Sequence, residues 1–232
     1  MPTLEERMAS YAAVPDIRLM KRTPVIIRVD GRAFHNYTKV RKCAKPFDYG
    51  LHTDFVVTSA RLMLEMQGCV AFYTQSDEAS FLLIDYQRFE TEPWVSYRLE
   101  KLVSLSASIF TQYFNAVSYD YPAAAFDSRA FNIPREEVVN YFLWRARDWA
   151  RNSLFIYASK FFSAKQLHGK NSWQLHEMLH SKDKNWAALE GWQKNGTLGV
   201  NGLMTIDDTT WTHAALTDYL DPFIYCDEVD NA

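Results

Sequence analysis

Two short stretches of the sequence contain the residues that could do chemistry. In the first, a β-branched apolar run is followed directly by Asp30 and Gly31. In the second, the polar turn Gln75–Glu78 separates two apolar runs, which is the pattern of a β-hairpin. Carboxylates that lie together repel one another and are stabilised by a cation. We therefore interpret Asp30, Asp77 and Glu78 as candidate catalytic acids.

The segment between these stretches indicates how distant acids could meet. Residues Tyr49 to Met66 have the length and spacing of a helix. A strand–helix–strand connection makes its strands parallel, so both carboxyl ends lie at one edge of the sheet. Mg²⁺ prefers oxygen ligands and typically binds one or two carboxylates together with substrate phosphates. Each acid alone is equally typical of a solvated turn, but the pair predicts a magnesium site for a nucleoside triphosphate.

Composition narrows the class of protein. The chain has 232 residues, 48% of them hydrophobic, and a net charge of only −3, which is not that of a generic nucleic-acid binder. Residues 1–50 carry ten Lys and Arg against five Asp and Glu, whereas residues 201–232 carry seven acids and no base. A local basic surface for phosphates is therefore possible. Three scattered cysteines and the lack of a membrane-length apolar run predict a cytoplasmic protein without membrane contact.

Three motifs together resemble those of one enzyme family. They are Asp30-Gly31-Arg32-Ala33-Phe34-His35, Ala44-Lys45-Pro46 with Asp48, and Gln75-Ser76-Asp77-Glu78 followed by Ser80-Phe81. In this order they are similar to motifs of the tRNA-histidine guanylyltransferase family and its bacterial-type like branch. The similarity runs from about Arg22 to about Asn152, roughly two thirds of the chain.

The resemblance implies a 3′-to-5′ nucleotidyltransferase. Such enzymes activate the 5′ end of tRNA with ATP and add nucleotides to it, so tRNA, ATP, GTP and other nucleoside triphosphates are the expected partners. Two Mg²⁺ ions would be held by Asp30, Asp77 and the main-chain carbonyl of Gly31, with Glu78 as a less certain ligand that could instead neutralise or orient. The resemblance also implies a homo-oligomer, a dimer or a tetramer.

The resemblance assigns further residues to substrate binding. The implied nucleotide-binding residues are Gly31, Arg32, Ala33, Phe34, His35, Lys45 and Ser76. Basic residues that match positions for the triphosphate or the RNA 5′-phosphate are Arg98, Lys101 and Arg129. Two polar residues on a later helix, Asp148 and Asn152, match positions implicated in work on tRNA.

The order of predicted elements indicates an α+β fold. After the hairpin we predict a helix from about Trp94 to Ala116 and a strand over residues 123–131. The resulting order β-α-β-β-α-β is the ferredoxin-like arrangement, which polymerase palm domains share. We predict a palm-like catalytic core over residues 1–133. Residues 134–232 would form an extension of helices and short β segments packed on that core.

Three local expectations concern the connections. Thr3 is expected to cap a short first helix. Residues 31–48, rich in Arg, Lys and Asn, are expected to form a loop. A long helix is expected to start with Asn132 as its cap and Pro134 in its first turn.

One departure from the family pattern bears on specificity. The eukaryotic guanylyltransferases carry a His-x-Asn-Asn-type motif on this long helix, and Asp148 and Asn152 match part of it. Here Ala150 takes the place of the histidine and Ser153 that of an asparagine. The departure favours templated repair of truncated tRNA 5′ ends over addition of a single guanylate to tRNA-histidine.

Three alternatives remain open at the level of sequence. A palm-type nucleotide cyclase or other nucleotidyltransferase could use the same acids without RNA. A non-catalytic module could bind RNA or nucleotides with a degenerate site, although both aspartates are present. Finally, His176-Glu177-Met178-Leu179-His180 matches the HExxH pattern of zinc proteases, for which His213 or Glu190 would have to supply a third ligand. Such a short pattern also occurs by chance.

Overall fold

The computed structural model describes residues 2–13, 16–88, 90–201, 203–205 and 211–226. The helices of this part are α1 Leu4–Ala13, α2 Phe34–Arg41, α3 Tyr49–Glu65, α4 Leu99–Val117, α5 Val138–Ser159, α6 Ala164–Leu167, α7 Ser172–His180, α8 Gly191–Asn195 and α9 His213–Ile224. The strands are β1 Val25–Gly31, β2 Cys69–Gln75, β3 Glu78–Leu83, β4 Phe126–Asn132, β5 Thr197–Val200 and β6 Leu203–Thr205.

These strands form a single antiparallel sheet in the order β4-β1-β3-β2-β5-β6. Strands β1 and β2 are not neighbours, but both pair antiparallel with β3 and are therefore parallel to each other. The predicted crossover through α3 is thus confirmed. The first four strands and helices α3 and α4 reproduce the predicted ferredoxin-like order, and the α+β fold class is confirmed.

Helices cover the sheet on both faces, because alternate residues of each strand point to opposite sides. Val25, Ile27 and Val29 of β1 face one core together with side chains of α3 and α4. Ile26 faces a second core with side chains of α5 and α9. Arg28 and Asp30 have the same parity as Ile26, so their side chains lie on the α5 face.

Residues beyond β4 extend the same sheet as well as covering it. Strand β5 pairs with β2, and β6 pairs with β5 beyond Asn201, which has a positive φ of 48°. A small third core joins the end of α5 to α6 and α7. The boundary predicted between residues 133 and 134 falls between β4 and α5. None of the described helices is long and apolar enough to cross a membrane.

Two local predictions are wrong. The stretch 31–48 is not all loop, because it contains α2, whose Phe34 and Tyr37 lie one turn apart and are both buried. Asn132 does not cap the long helix. It is the last residue of β4, and its side-chain amide donates to the carbonyl of Met20 and accepts from the Met20 N–H. Helix α5 begins six residues later, after a short 3₁₀ turn.

The remaining predicted helices are present with small shifts. Thr3 caps α1, since its hydroxyl accepts the N–H of Glu6 and its own N–H donates to the Glu6 carboxylate. The helix predicted from Trp94 is divided into a 3₁₀ turn over Trp94–Tyr97 and then α4. These differences leave the positions of the candidate acids unchanged.

Candidate active site

A row of polar side chains crosses the end of the sheet on the α5 face. Asp30 of β1 pairs in register with Glu78 of β3 on one side and with Asp127 of β4 on the other. Glu78 in turn pairs with Gln75 of β2. Directly paired residues have Cβ atoms about 4.5–5.5 Å apart. Three acids and an amide therefore stand side by side at one edge.

Asp77 is joined to this row through the main chain. The N–H of Gly31 donates to the carbonyl of Asp77 at 2.9 Å, so the residue after Asp30 touches the hairpin turn directly. Ser76 adopts a positive φ of 50° in that two-residue turn. A Cβ atom at Gly31 would lie 2.4 Å from Cδ2 of Phe34, which explains the glycine. The structure thus brings Asp30 and Asp77 to the same edge, as the crossover predicts.

The two aspartates share an environment that disfavours their negative charges. Burial raises the pKa of Asp77, and the charge of Asp30 adds to the rise while a hydrogen bond from Ser76 opposes it. Burial also raises the pKa of Asp30, with a further contribution from Asp127 and opposing contributions from three arginines. Two carboxylates with raised pKa values beside each other form a site where a cation would be stabilised.

Glu78 forms an ion pair with Arg145 of α5, the helix that covers this face of the sheet. The guanidinium of Arg145 on α5 donates from Nε to Oε1 at 2.6 Å and from Nη2 to Oε2 at 2.7 Å. Both side chains are nearly buried, at 8% and 9% exposure, and Arg28 lies 3.9 Å from the same carboxylate. Both oxygens of Glu78 are therefore engaged, which fits the role of neutralising and orienting better than that of a metal ligand.

Two cavities meet at Asp77. The first, which we call the acid cavity, has a volume of about 360 Å³. It is lined by Asp30, Gln75, Ser76, Asp77, Glu78, Arg145, Asp148, Trp149, Asn152, Phe155 and Ile156. Asp148 and Asn152 of α5, which are predicted to contact RNA, thus line the same cavity as Asp30 and Asp77. Their side chains also hydrogen bond to each other at 3.3 Å.

The second, which we call the aromatic cavity, has a volume of about 610 Å³. Its walls include side chains of α2, the 43–48 loop, α3, α5 and α8. The imidazole of His52 stacks on Trp192 at 4.7 Å and 22°, and Phe47 lies between Trp192 and Trp149 with centroids 6.2 and 6.1 Å away. Burial lowers the pKa of His52 to about 4, so its ring is neutral at pH 7.

Most of the predicted nucleotide-binding residues lie at the aromatic cavity. Phe34, His35, Lys45 and Ser76 line it, and no side chain caps α2, whose first N–H groups follow Ala33. The N–H groups of Gly31 and Arg32 are already used, by the carbonyls of Asp77 and Ala125. The N-terminus of α2 can therefore bind an anion through the N–H groups of its first turn.

The predicted phosphate-binding cations are divided. Arg129 pairs in register with Arg28, two residues along the strands from the Asp30–Asp127 pair, and its side chain is half exposed. Arg98 instead precedes the first residue of α4, where it pairs with Asp16 and Glu100. Because α4 starts beyond the far end of β3 and its 19 residues span about 28 Å, Arg98 and exposed Lys101 lie at the opposite edge of the sheet.

The histidines of the HExxH pattern lie on α7, away from the sheet. His176 packs its ring against Trp186 at 5.8 Å, and burial together with His180 lowers its pKa. Within the described residues no group of three or more His, Cys, Asp or Glu side chains is placed to hold a metal. Trp186 and its neighbours pack on the end of α5, so this helix completes a small apolar core.

Sequence reasoning missed several residues that line the site. Gln75 lies in the predicted turn Gln75–Glu78, but the structure places it as the last residue of β2, with its side chain lining the acid cavity. Arg145 and Trp149 of α5 line the acid cavity but are not among the predicted site residues. His52 and Trp192 carry no local signal, since they meet only when α8 returns to the start of α3. Periodicity along α5 was the signal that could have joined Trp149 to Asp148 and Asn152.

Comparisons with known proteins agree with this geometry. The model of the family described as tRNAHis guanylyltransferase matches residues 5–134. The tRNA(His) guanylyltransferase of Schizosaccharomyces pombe is 31% identical over 186 residues, which cover 71% of this chain and 68% of that protein. Two solved structures of bacterial tRNA(His) guanylyltransferase (Thg1)-like protein, in complex with ATP and with GTP, superpose with TM-scores of 0.90 and 0.84. They are 37% and 35% identical, and each match covers 97% of this chain and 100% of the other.

Proposed function

Because the chain belongs to the tRNAHis guanylyltransferase family, we propose that it adds nucleotides to the 5′ end of tRNA in the 3′-to-5′ direction. Members of this family are nucleotidyltransferases that act on tRNA 5′ ends, and the chain is an enzyme of this class. The observation that carries the proposal is the meeting of Asp30 and Asp77 at the junction of two cavities.

The two aspartates fit a magnesium site. Both carboxylates have raised pKa values and face a common cavity, so a divalent cation would relieve their repulsion. Mg²⁺ needs only one or two carboxylates when substrate phosphates supply the other oxygens. Asp30, Asp77 and the carbonyl of Gly31 would hold it, and the Arg145–Glu78 ion pair would fix the hairpin that carries Asp77. When bound, the metal supplies Lewis-acid stabilisation of the attacking and leaving oxygens.

The residues of the chain bind and orient the reacting groups. The N-terminus of α2 and the ammonium of Lys45 would hold the phosphates of a nucleotide whose base enters the aromatic cavity. His52 and Trp192 offer ring surfaces on which a base can stack. The two solved relatives are complexes with ATP and with GTP, which supports nucleotide binding by this chain. We infer that ATP, GTP and other nucleoside triphosphates are substrates.

We favour templated repair over addition of a single guanylate. Ser153 replaces an asparagine of the family motif, and its hydroxyl accepts the indole N–H of Trp186 at 3.1 Å and donates to the carbonyl of Ala150. This position therefore joins α5 to the α7 region and does not line either cavity. Without the histidine of the motif at Ala150, the chain lacks the feature associated with eukaryotic guanylyltransferases.

The predicted homo-oligomer would explain the placement of Arg98 and Lys101. In one chain they lie across the sheet from Asp30 and Asp77. Cations that bind an RNA 5′-phosphate at those aspartates would therefore come from a second copy, whereas Arg129 lies near them in the same chain. We propose a dimer or tetramer that shares one tRNA. Cytoplasmic localisation stays a prediction.

The decisive assay supplies a 5′-truncated tRNA with ATP and all four nucleoside triphosphates, and the products are sequenced. We expect template-matched nucleotides at the 5′ end. Addition of one G to tRNA-histidine alone would replace repair by guanylyltransferase specificity. A matched reaction without RNA tests the cyclase alternative, and product formed there would overturn the proposed use of tRNA.

A further inference from the structure

We propose that Arg41 and Asp54 are positioning residues, whose ion pair fixes α2 and the following loop so that both can hold nucleotide phosphates. Neither side chain lines a cavity, so both act through their neighbours and do not touch the nucleotide. This role rests on the proposed function, in which the N-terminus of α2 and the ammonium of Lys45 bind the phosphates. The ion pair therefore sets nucleotide affinity, apart from any contribution to stability.

The ion pair lies buried where three helices meet. The side chain of Arg41, in the last turn of α2, is 5% exposed, and that of Asp54 on α3 is 16% exposed. Nη1 of Arg41 donates to Oδ2 of Asp54 at 2.6 Å. The hydroxyl of Ser118, directly after α4, donates to the same oxygen and lies 3.3 Å from Nη1. The hydroxyl of Tyr37 also accepts from Nη1, and the guanidinium lies over the ring of Tyr121 at 4.0 Å.

Helix α2 depends on Arg41 for its direction. Phe34, Tyr37 and Arg41 fall on one side of the helix, at spacings of three and four residues. The rings of Phe34 and Tyr37 pack against Phe114 with centroids 5.9 and 5.7 Å away. Such apolar contacts are not directional, so they hold the helix down without fixing its rotation. Within the described residues, Arg41 makes the only side-chain hydrogen bonds from α2 to another element.

Stability alone does not explain this ion pair. Desolvation offsets most of the attraction between two buried charges, so replacing both partners by apolar residues is often neutral or stabilising. Such a replacement removes the directional hydrogen bonds to Asp54 and Ser118, which packing does not restore. The Arg41–Asp54 pair is therefore better explained by the geometry that it sets.

The loop that carries Lys45 runs between the two partners of the ion pair. Helix α2 is about 12 Å long, so a tilt at its last turn moves both its first N–H groups and the loop after it. Lys45 follows Arg41 by only four residues. At the other end of the loop, Asp48 caps α3 by accepting the N–H of Leu51 at 2.7 Å. Because Arg41 and Asp54 fix the separation of α2 and α3, they also fix the span of this loop.

The experiment separates positioning from stability with the double variant Arg41→Met/Asp54→Leu. This variant removes the ion pair without leaving a buried unpaired charge and without changing the net charge. We expect its Tm to stay close to that of the wild type, whereas Arg41→Met alone should lower the Tm. The Kd for ATP, measured by calorimetric titration in Mg²⁺ buffer, should nevertheless rise about tenfold in the double variant, as for the loss of one hydrogen bond to a charged group.

Two controls test whether the loss belongs to the phosphates. Lys39→Met removes an exposed cation from the same helix and should leave the Kd for ATP within about twofold of the wild type, the scale of a screened surface charge. Adenosine, titrated by NMR, should bind the wild type and the double variant equally, because it has no phosphates. An unchanged Kd for ATP in the double variant, an equal rise in Lys39→Met, or an equal loss of adenosine affinity would overturn the inference.

A second variant decides the matter if the double variant is unfolded at the assay temperature. Arg41→Lys keeps the charge, but an ammonium cannot reproduce the planar fork that reaches both Asp54 and Ser118. We expect this variant to fold and to bind ATP about threefold more weakly. In that case an affinity equal to that of the wild type would overturn the positioning role.

ATP binding without RNA also separates this inference from the proposed function. If the wild type binds ATP but adds no nucleotide to any tRNA, the proposed function is wrong, and the Kd values of the variants still decide the role of Arg41 and Asp54. If the wild type adds nucleotides and the double variant binds ATP as tightly, only the positioning role is wrong. A wild type that binds no ATP would overturn both.

Discussion

Along β1, the side chains on the sheet face covered by α3 and α4 are apolar throughout, whereas those on the face covered by α5 are apolar at one end and charged at the other. On β1 the first face receives Val25, Ile27 and Val29. The second receives Ile26, Arg28 and Asp30 in succession. One face of β1 therefore contributes only to a core, whereas the other face changes from apolar to charged towards the aspartates. Stability and activity should respond to different faces.

The first face is built from rings. Phe110 of α4 is fully buried and contacts Phe126, Phe55 and Phe81 with centroids 4.8–6.4 Å apart. The second face replaces such contacts by the Arg145–Glu78 pair and by the hydrogen bond between Ser80 and Tyr141. Buried ion pairs contribute little net stability but fix geometry when fully bonded. We infer that the apolar face stabilises the fold while the α5 face positions the site.

The largest effect is expected for Asp30→Asn, which should lower nucleotide addition by at least about 10³-fold, because a charged metal ligand is lost at the reacting phosphate. The fold should persist, since the change removes repulsion between carboxylates. Initial rates and thermal unfolding measure the two effects. Asp127→Asn is the matched control, because Asp127 pairs with Asp30 in register but is exposed. Equal losses in both variants would contradict the metal assignment.

The next effect concerns the opposite face. Phe110→Ala should lower the free energy of unfolding by about 3–5 kcal/mol, the cost of a cavity in a packed core. Denaturant unfolding measures it. The activity of the remaining folded protein should stay near that of the wild type, because Phe110 lines neither cavity. A large loss of kcat with full stability would show that the two faces are not separable.

The smallest effect is a pH dependence that belongs to the α5 face. The raised pKa values of Asp30 and Asp77 mean that the folded protein holds protons which the unfolded chain releases near the ordinary value of 3.8. Their contribution to stability is thus present below that value and is lost as pH rises through the raised values. In metal-free buffer, wild type should therefore become less stable relative to Asp77→Asn over this interval, by no more than about 1 kcal/mol after solvent screening.

Added Mg²⁺ should remove that pH dependence. A cation between the carboxylates compensates their charges, so ionisation no longer destabilises the fold. Unfolding curves of wild type and Asp77→Asn at several pH values, with and without Mg²⁺, make the comparison. If the difference in stability between the wild type and Asp77→Asn depended on neither pH nor Mg²⁺, a metal site shared by the two aspartates would be contradicted.

The part of the site that lies within one crossover was predictable from sequence. Asp30 lies near the end of β1 and Asp77 directly follows β2. Because a crossover connection makes its two strands parallel, these two ends lie at the same edge of the sheet. The resemblance to the guanylyltransferase family is confirmed, and with it the class of enzyme. These predictions depend on short patterns and on connection length, both of which are visible in a sequence.

The rest depends on which element covers which face. The Arg145–Glu78 pair forms only because α5 packs over the start of β3, and no local pattern specifies that packing. Helix α2 was missed because Phe34 and Tyr37 give a single buried turn, too short for a periodic signal. The side-chain amide of Gln75 resembles any turn residue until its burial is known.

Trp192 places part of the base-binding surface in the C-terminal part of the chain. Its indole stacks on His52 and closes the aromatic cavity, although it lies far beyond residue 134, where the family match ends. A chimera that joins this core to the tail of a relative would keep both aspartates and exchange one wall of the cavity. The chimera should then have the base preference of the relative that supplies the C-terminal part. Its ability to add nucleotides should be that of the protein that supplies Asp30 and Asp77.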